Sequence, residues 1–260
     1  MKQYRVGSVP YVNAKPLVHR FGRPDSPVDV VLEVPSQLPT LLESGNADAI
    51  LVSSYDYLST PGRAYAPGVC IGSRGAVESV RLFSKVPIKG IESLALDQSS
   101  LTSNNLALGL LADRYHIHPN ARTAPPSLEG MLAHFDACVL IGDIGMMAPS
   151  EGLVVMDLGA EWVEHTNLPF VWALWVSQGE TPAELARLLQ EERDWGVSNV
   201  EEVARLASVQ ARWPYETTLN YLSQTIDYTL DASAERGLAA YRDLLERHLL
   251  IRKHEAIAHS

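Results

Sequence analysis

The chain has 260 residues, 46% of them hydrophobic and 20% charged, with a net charge of −10. This composition describes a globular chain long enough to bury one large core or two lobes, and it excludes collagen, coiled coils, disulfide scaffolds and disordered tails. No apolar run approaches the roughly 18–20 residues of a membrane span, and the acidic balance argues against a nucleic-acid partner.

In chain order, Val6–Val9 reads as a strand, followed by a segment from Asn13 to Phe21. Val28–Val34 is a second strand, leading to a helix over Ser36–Ser44 that Ser36 can cap and Gly45 stops. Ala49–Val52 is a third. Val69–Ile71 is short, and the alternation through Val77–Val86 predicts a longer strand. Ser93–Leu96, Ala121–Ala124, Ala137–Ile141, Leu153–Leu158 and Phe170–Val176 follow, with helices at Thr102–Tyr115 and Ser127–Phe135. From residue 181 the pattern turns helical. Thr181, Pro182 and Glu184 make a capping-box sequence, Ser198 and Asn199 open a second helix, and Ser233 opens a third. No strand is expected there.

Alternating strands and helices predict an α/β class with a mostly parallel sheet. Two lobes are expected, with strands near 80–87 and 171–177 crossing between them. Residues 1–84 and 175–260 would form the first lobe, residues 85–174 the second, and a ligand cleft would lie between. Cys70 and Cys138 sit in apolar runs and read as buried reduced thiols. The opening residues pass straight into a strand with no apolar export segment, so a cytoplasmic location is expected.

Polar residues gather where strands finish. They are Ser8, Tyr11 and Asn13 after the first strand, and Ser53 and Ser54 after the third. Ser73, Ser79 and Ser84 surround the first crossing, and Asp97, Ser99, Thr102 and Ser103 precede the helix at 102. Gly142 and Asp143 end the strand at 137. Any one of these serves equally well as a helix cap; five clusters together describe a hydroxyl-lined cleft. Hydroxyls and free N–H groups at a helix start hold an anion without lysine or arginine, and Ser99–Asn104 suits a carboxylate.

No nucleotide loop, nucleophile elbow or HExxH pattern is present. His116 and His118 read as a surface turn rather than a metal pair. No metal and no organic cofactor is expected. Trp162, Trp172 and Trp175 suit a core or hinge; one facing the cleft would cover a flat ring.

Six stretches carry a further resemblance: Val6–Leu17, Asp48–Ser54, Ser73–Ser84, Leu96–Ser103, Leu140–Asp143 and Trp162–Trp175. In this order and spacing they resemble the chorismate dehydratases of the futalosine route to menaquinone. Two positions depart from that family's pattern. Asn167 stands where glycine is expected before Leu168-Pro169-Phe170, and Gly145 where alanine is usual. The resemblance implies a two-lobed type II periplasmic-binding-protein-like fold with two crossover strands and a helical C-terminal region. It also implies a hydro-lyase that removes water from chorismate, a small molecule, to give 3-[(1-carboxyvinyl)oxy]benzoate without a cofactor.

With that substrate, Asn13 and Asp143 are the candidate catalytic residues. Ser8, Tyr11, Ser53, Ser54, Ser79, Ser84, Ser99, Thr102, Ser103, Gly142 and Phe170 are the candidate binding residues. Asn13 would donate to the leaving hydroxyl or to a carboxylate. The base is either Asp143 or the substrate's own enolpyruvyl carboxylate. The second is favoured, because a dianionic substrate repels a protein carboxylate. Two rivals stay open: a small-carboxylate-binding protein of the same fold, and the naphthoate-forming enzyme of the same pathway.

Overall fold

Short runs of Val, Ile and Leu bounded by small and polar residues build two sheets, each covered by helices. The computed structural model describes residues 3–251; Met1 and Lys2, and residues 252–260 of the expected first lobe, lie outside them. In chain order the elements are β1 (Tyr4–Ser8), β2 (Val28–Leu32), α1 (Leu38–Glu43), β3 (Ala49–Ser53), α2 (Ser54–Ser59), β4 (Arg63–Ser73), β5 (Val80–Ser84) and β6 (Ser93–Asp97). Next come α3 (Thr102–Tyr115), β7 (Asn120–Ala124), α4 (Leu128–Leu132), β8 (Ala137–Ile141), α5 (Gly142–Met147), β9 (Val154–Asp157), α6 (Leu158–Thr166) and β10 (Phe170–Gln178). The chain finishes with α7 (Ala183–Ser198), α8 (Val200–Ala211), α9 (Tyr215–Asn220), β11 (Asp227–Leu230) and α10 (Ala232–Arg247). A 3-10 turn, Val12–Leu17, follows β1, and a π-helical turn, Tyr221–Thr225, precedes β11.

The first sheet has the order β11-β4-β10-β3-β1-β2 and the second β7-β6-β8-β5-β9. β1 runs parallel to β2 and β3, and β6 runs parallel to β7 and β8. β10 and β5 run antiparallel to their neighbours. Ser8, Ser53, Ser73 and Phe170 therefore share one edge of the first sheet, and Asp97, Ile141, Val80 and Asp157 share one edge of the second. The site is built between these edges.

Four expectations change. The sheets are mixed rather than mostly parallel, because β5, β10 and β11 each pair antiparallel with their neighbours. The passages between the sheets are not strands: β5 lies wholly in the second sheet and β10 wholly in the first. The chain crosses through residues 74–79 and returns through α6 and the turn after it. Residues 80–84 thus belong with the second sheet. The C-terminal region also holds a strand, β11, which adds to β4 at the sheet edge. The capping box at the start of α7 does not form, because the Thr181 hydroxyl donates to Ser177 Oγ at 3.2 Å and Pro182 takes the cap position.

One carboxylate fastens both passages. Asp157 caps α6 by accepting from the N–H groups of Gly159 and Ala160, each at 3.0 Å. It also accepts from Val77 N–H at 3.0 Å and Glu78 N–H at 2.7 Å. Glu78 has φ +61, a left-handed conformation that costs a residue with a Cβ unless its surroundings hold it. Asp157 supplies that hold. Beneath the crossing, Trp162, Phe170, Trp172 and Tyr241 pack edge to face or tilted, with ring centroids 4.3–6.3 Å apart. The Trp162 and Trp172 indole N–H groups donate to Pro169 O and Ser73 Oγ, both at 3.1 Å. No helix among the described residues is long and apolar enough to cross a membrane.

Asp157→Ala strips four backbone donors of their acceptor, two at a helix cap and two at the crossing. The expected loss is about 2–4 kcal/mol of unfolding free energy by chemical denaturation. A loss below about 0.5 kcal/mol, the ordinary scatter of surface changes, contradicts the assigned role.

Candidate active site

Three segments meet between the sheet edges. The first is the 3-10 turn after β1, which carries Asn13. It sits against α7 at Gly196, where an added Cβ would run into Pro16 O, so a residue without a side chain lets the turn seat. The second is the crossing, where Glu78 turns the chain to present Ser79. The third is the π-helical turn, which carries Tyr221. The Tyr221 hydroxyl lies 2.8 Å from Ser79 Oγ, and the nearby Asn13 side chain opposes the rise in the pKa of the same phenol. Asn13 Oδ1 is buried and has no partner.

Asp143 stands in the first turn of α5, exposed, and its charge reaches both Tyr11 and Tyr221. Burial raises the Tyr11 pKa, and Asp97 and Asp143 add to the rise. Burial pushes the Tyr221 phenol up to about 12, against the opposing effect of Ser79 and Asn13. Both phenols stay protonated donors at neutral pH. The site so assembled is a set of neutral hydroxyls and one amide, edged by two carboxylates.

The positions that depart from the resembled family have local causes. Gly145 brings α5 against the crossing: a Cβ there would fall 2.6 Å from Leu140 O and 2.8 Å from Ser79 O. Arg81 clamps the same turn, its Nε donating to Gly145 O at 2.8 Å. Asn167 closes α6 with φ +56, which asparagine tolerates better than most residues after glycine.

Several expected binding residues are occupied within the fold. Ser53 Oγ caps α2 by accepting from Asp56 N–H at 3.3 Å, and Ser54 Oγ donates to Val171 O at 2.5 Å. Ser99 Oγ donates to Asp97 Oδ1 at 2.5 Å, and the Ser99 N–H donates to the same oxygen at 2.9 Å. An acidic partner at this spot opposes the anion site expected there. Thr102 Oγ1 accepts from Tyr55 N–H at 2.9 Å, and its carbonyl accepts from the Tyr241 hydroxyl at 3.0 Å, so Thr102 joins the two sheets' helices. Ser103 is buried in the same turn, its N–H on Ser100 Oγ at 3.3 Å. Ser8 is buried at the end of β1, with its hydroxyl 3.5 Å from Val9 O. Gly142 starts α5 with φ +58.

Two expected residues leave the site. Ser84 lies at the far end of β5, opposite Ala137, where its hydroxyl donates to Val86 O at 2.7 Å. The antiparallel sense of β5 carries it away. Phe170 is enclosed by Trp162, Trp172 and Tyr241, in the core beneath the cleft. His116 caps α3 in the left-handed conformation, and among the described residues no three His, Cys, Asp or Glu side chains form a metal-binding group. Sequence reasoning missed Tyr221 and Asp157. Tyr221 sits in a helical stretch with no motif around it, and only the fold brings it to Ser79.

Two α/β sheets with a polar site between their facing edges define the architecture of periplasmic binding proteins. The periplasmic aliphatic sulphonate binding protein of Escherichia coli superposes with a TM-score of 0.65 and 16% identity, covering 96% of this chain and 88% of its own. A protein of known crystal structure from Archaeoglobus fulgidus gives 0.75 and 17% identity, covering 95% and 98%. The chain belongs to the menaquinone biosynthesis family, whose model matches residues 4–247. A chorismate dehydratase of Thermus thermophilus is 31% identical over 94% of this chain and 96% of its own length.

The raised phenol gives a pH prediction. Folding lifts the Tyr221 pKa from 10.0 to about 12, so its contribution to stability is complete below pH 10 and is lost as pH rises toward 12. An ultraviolet tyrosinate titration of the folded protein, less that of Tyr221→Phe, should show one phenol ionising near 12. A difference component centred near 10 contradicts the buried, bonded placement.

Proposed function

We propose that this protein is a chorismate dehydratase, a hydro-lyase that converts chorismate to 3-[(1-carboxyvinyl)oxy]benzoate in menaquinone biosynthesis. The observation that carries the reading is the meeting of Asn13, from the family-like opening stretch, with Ser79 and Tyr221 between the sheet edges. The Thermus thermophilus relative supplies the substrate's name, and its similarity runs through both sheets.

The chemistry asks little beyond orientation. Chorismate carries two carboxylates, an enol ether, a ring hydroxyl and a cyclohexadiene. The proton on the ether-bearing carbon leaves, and the electron pair spreads through the diene toward the ring carboxylate. The C–O bond to the neighbouring ring hydroxyl then breaks, and the ring becomes aromatic. The departing hydroxide takes up the abstracted proton, so the net loss is one water. Aromatisation supplies the driving force, and the protein supplies placement and charge stabilisation.

The enolpyruvyl carboxylate lies beside the acidic carbon and serves as base. Asp143 is exposed and faces a dianion, which raises the cost of its own approach to substrate. Its role is to hold the loop and polarise the neighbouring hydroxyls. Asn13 orients the reacting groups, while Ser79 and Tyr11 offer hydroxyl donors to the carboxylates. No step uses a metal or organic cofactor. The two buried free thiols, Cys70 and Cys138, suit a reducing cytoplasmic compartment.

Incubating the purified protein with chorismate should produce a benzoate-type ultraviolet spectrum, and thorough chelation should not stop it. A protein that binds chorismate without consuming it is instead a binding protein of this fold. Asn13→Ala should lower kcat by roughly 10²–10³, the range for losing one preorganised group. Asp143→Asn should retain turnover without a shifted acidic limb in its pH profile. If Asp143→Asn is inactive yet binds chorismate normally, while Asn13→Ala is nearly unimpaired, Asp143 is the base and the assignment is reversed.

A further inference from the structure

We infer that α10 is a strap that pins the second sheet to the first, so that the cleft keeps one width and ligand enters without the hinge opening by which two-lobed receptors admit a solute. The inference goes beyond the dehydratase reading and does not depend on it.

Gly237, Tyr241, Leu244 and His248 lie at i, i+4, i+7 and i+11, a single stripe along α10 and the residue that ends it. Gly237 sits against the passage that returns from the second sheet. A Cβ there would fall 2.0 Å from Pro169 O, so a residue without a side chain lets α10 come this close. The Tyr241 hydroxyl donates to Thr102 O at 3.0 Å, in the first turn of α3. Leu244 fills the place of a side chain at Gly109, where an added Cβ would meet its Cδ2 at 2.6 Å. Arg247 Nη1 and His248 Nε2 donate to Asp113 Oδ1 at 2.5 and 3.1 Å, and His165 Nε2 of α6 donates to Asp113 Oδ2 at 2.8 Å. The stripe thus follows α3 from its first turn to its last.

α3 covers the second sheet, whereas α10 leaves β11 and packs on β10 of the first. A second tie starts from α2, where Tyr55 N–H donates to Thr102 Oγ1 and the Tyr55 hydroxyl to Leu250 O, each at 2.9 Å. The seam between α10 and α3 is core rather than surface: Tyr241, Leu244, Leu106 and Leu110 are all buried. The apolar core that holds Ile50 and Leu174 of the first sheet runs on through these side chains to Leu82 and Leu94 of the second. Swinging the lobes apart would open that core to water and part the Thr102 carbonyl and Asp113 from their donors. Entry needs no such motion, because Tyr11, Leu101 and Ile144, on the loops after β1, β6 and β8 that border the cleft, are exposed. A fixed width also keeps Asn13, after β1, and Ser79, on the crossing, at one separation.

The test is a distance measurement by double electron–electron resonance. Nitroxide labels go on cysteines introduced at Val34, exposed after β2, and at Glu129, exposed in α4. The native thiols Cys70 and Cys138 are buried and stay unlabelled. The ligand-free protein should give one narrow distribution centred on the separation in the structure. Saturating chorismate should move it by less than about 2 Å, within the range of partners that bind without domain rearrangement. Loosening the strap with Tyr241→Phe and Asp113→Ala together should spread the ligand-free distribution toward longer separations. Three results overturn the inference: a ligand-free population at longer separation in the parent protein, a larger shift on binding chorismate, or a loosened variant as narrow as its parent. If calorimetry shows that chorismate does not bind, the dehydratase reading falls, and the two ligand-free distributions still decide the strap. If the double variant fails to fold, Tyr241→Phe alone, which keeps the ring and loses only the bond to Thr102, takes its place: a broadened distribution supports the strap and an unchanged one overturns it.

Discussion

The site depends on one carboxylate that is not part of it. Asp157 accepts four backbone N–H groups, two from the start of α6 and two from the crossing at Val77 and Glu78. Those groups belong to the two passages that connect the sheets, so one side chain fixes both relative to β9. It also holds Glu78 in a left-handed conformation that an ordinary residue avoids. Immediately after it comes Ser79, whose direction follows from that turn. Gly145 lets α5 pack flush against the Ser79 carbonyl from the other side. The crossing is thus a rigid ledge rather than a tether, and a reacting group mounted on it needs little reorganisation.

The second constraint is electrostatic. The substrate proposed for this site carries two negative charges, yet the groups brought together are hydroxyls, an amide and the carboxylates of Asp97 and Asp143. Buried hydroxyls and amides bind carboxylates through several moderate bonds. The phenols of exposed Tyr11 and buried Tyr221, both with pKa values raised above 10.0, remain donors over the whole neutral range. The nearby acids raise the pKa of these donors, and the dianionic substrate repels any of them that would act as base. This is the physical reason for assigning proton abstraction to the substrate.

Much of this fold was legible in the chain. β8 (Ala137–Ile141) and α3 (Thr102–Tyr115) have the bounds their apolar patterns predict, because five apolar residues in a row, four of them buried, and a fourteen-residue helix are strong local signals. β11 was not legible: Asp227–Leu230 is four residues long, and only its pairing with β4 makes it a strand. The direction of β5 was equally hidden. A run of alternating residues does not say which end faces a cleft, so Ser79 and Ser84 looked equivalent although only Ser79 reaches the site. Hydroxyls at strand ends were a true but coarse signal. Ser53, Ser54 and Ser99 spend theirs on the fold: Ser53 on the local cap of α2, Ser99 on neighbouring Asp97, and Ser54 on Val171, a partner far off in sequence. Tyr221 reaches Ser79 across 142 positions, a pairing no local pattern encodes.

The central claim is that dehydration happens on the Asn13–Ser79–Tyr221 network between the sheet edges. The most direct measurement is a crystal structure of the protein with 3-[(1-carboxyvinyl)oxy]benzoate bound. The account predicts a product carboxylate within hydrogen-bond distance of Ser79 Oγ. It also places the ring carbon that lost its hydroxyl nearest the Asn13 side chain. A product seated on the Thr102–Ser103 turn, with Asn13, Ser79 and Tyr221 untouched by it, would contradict it.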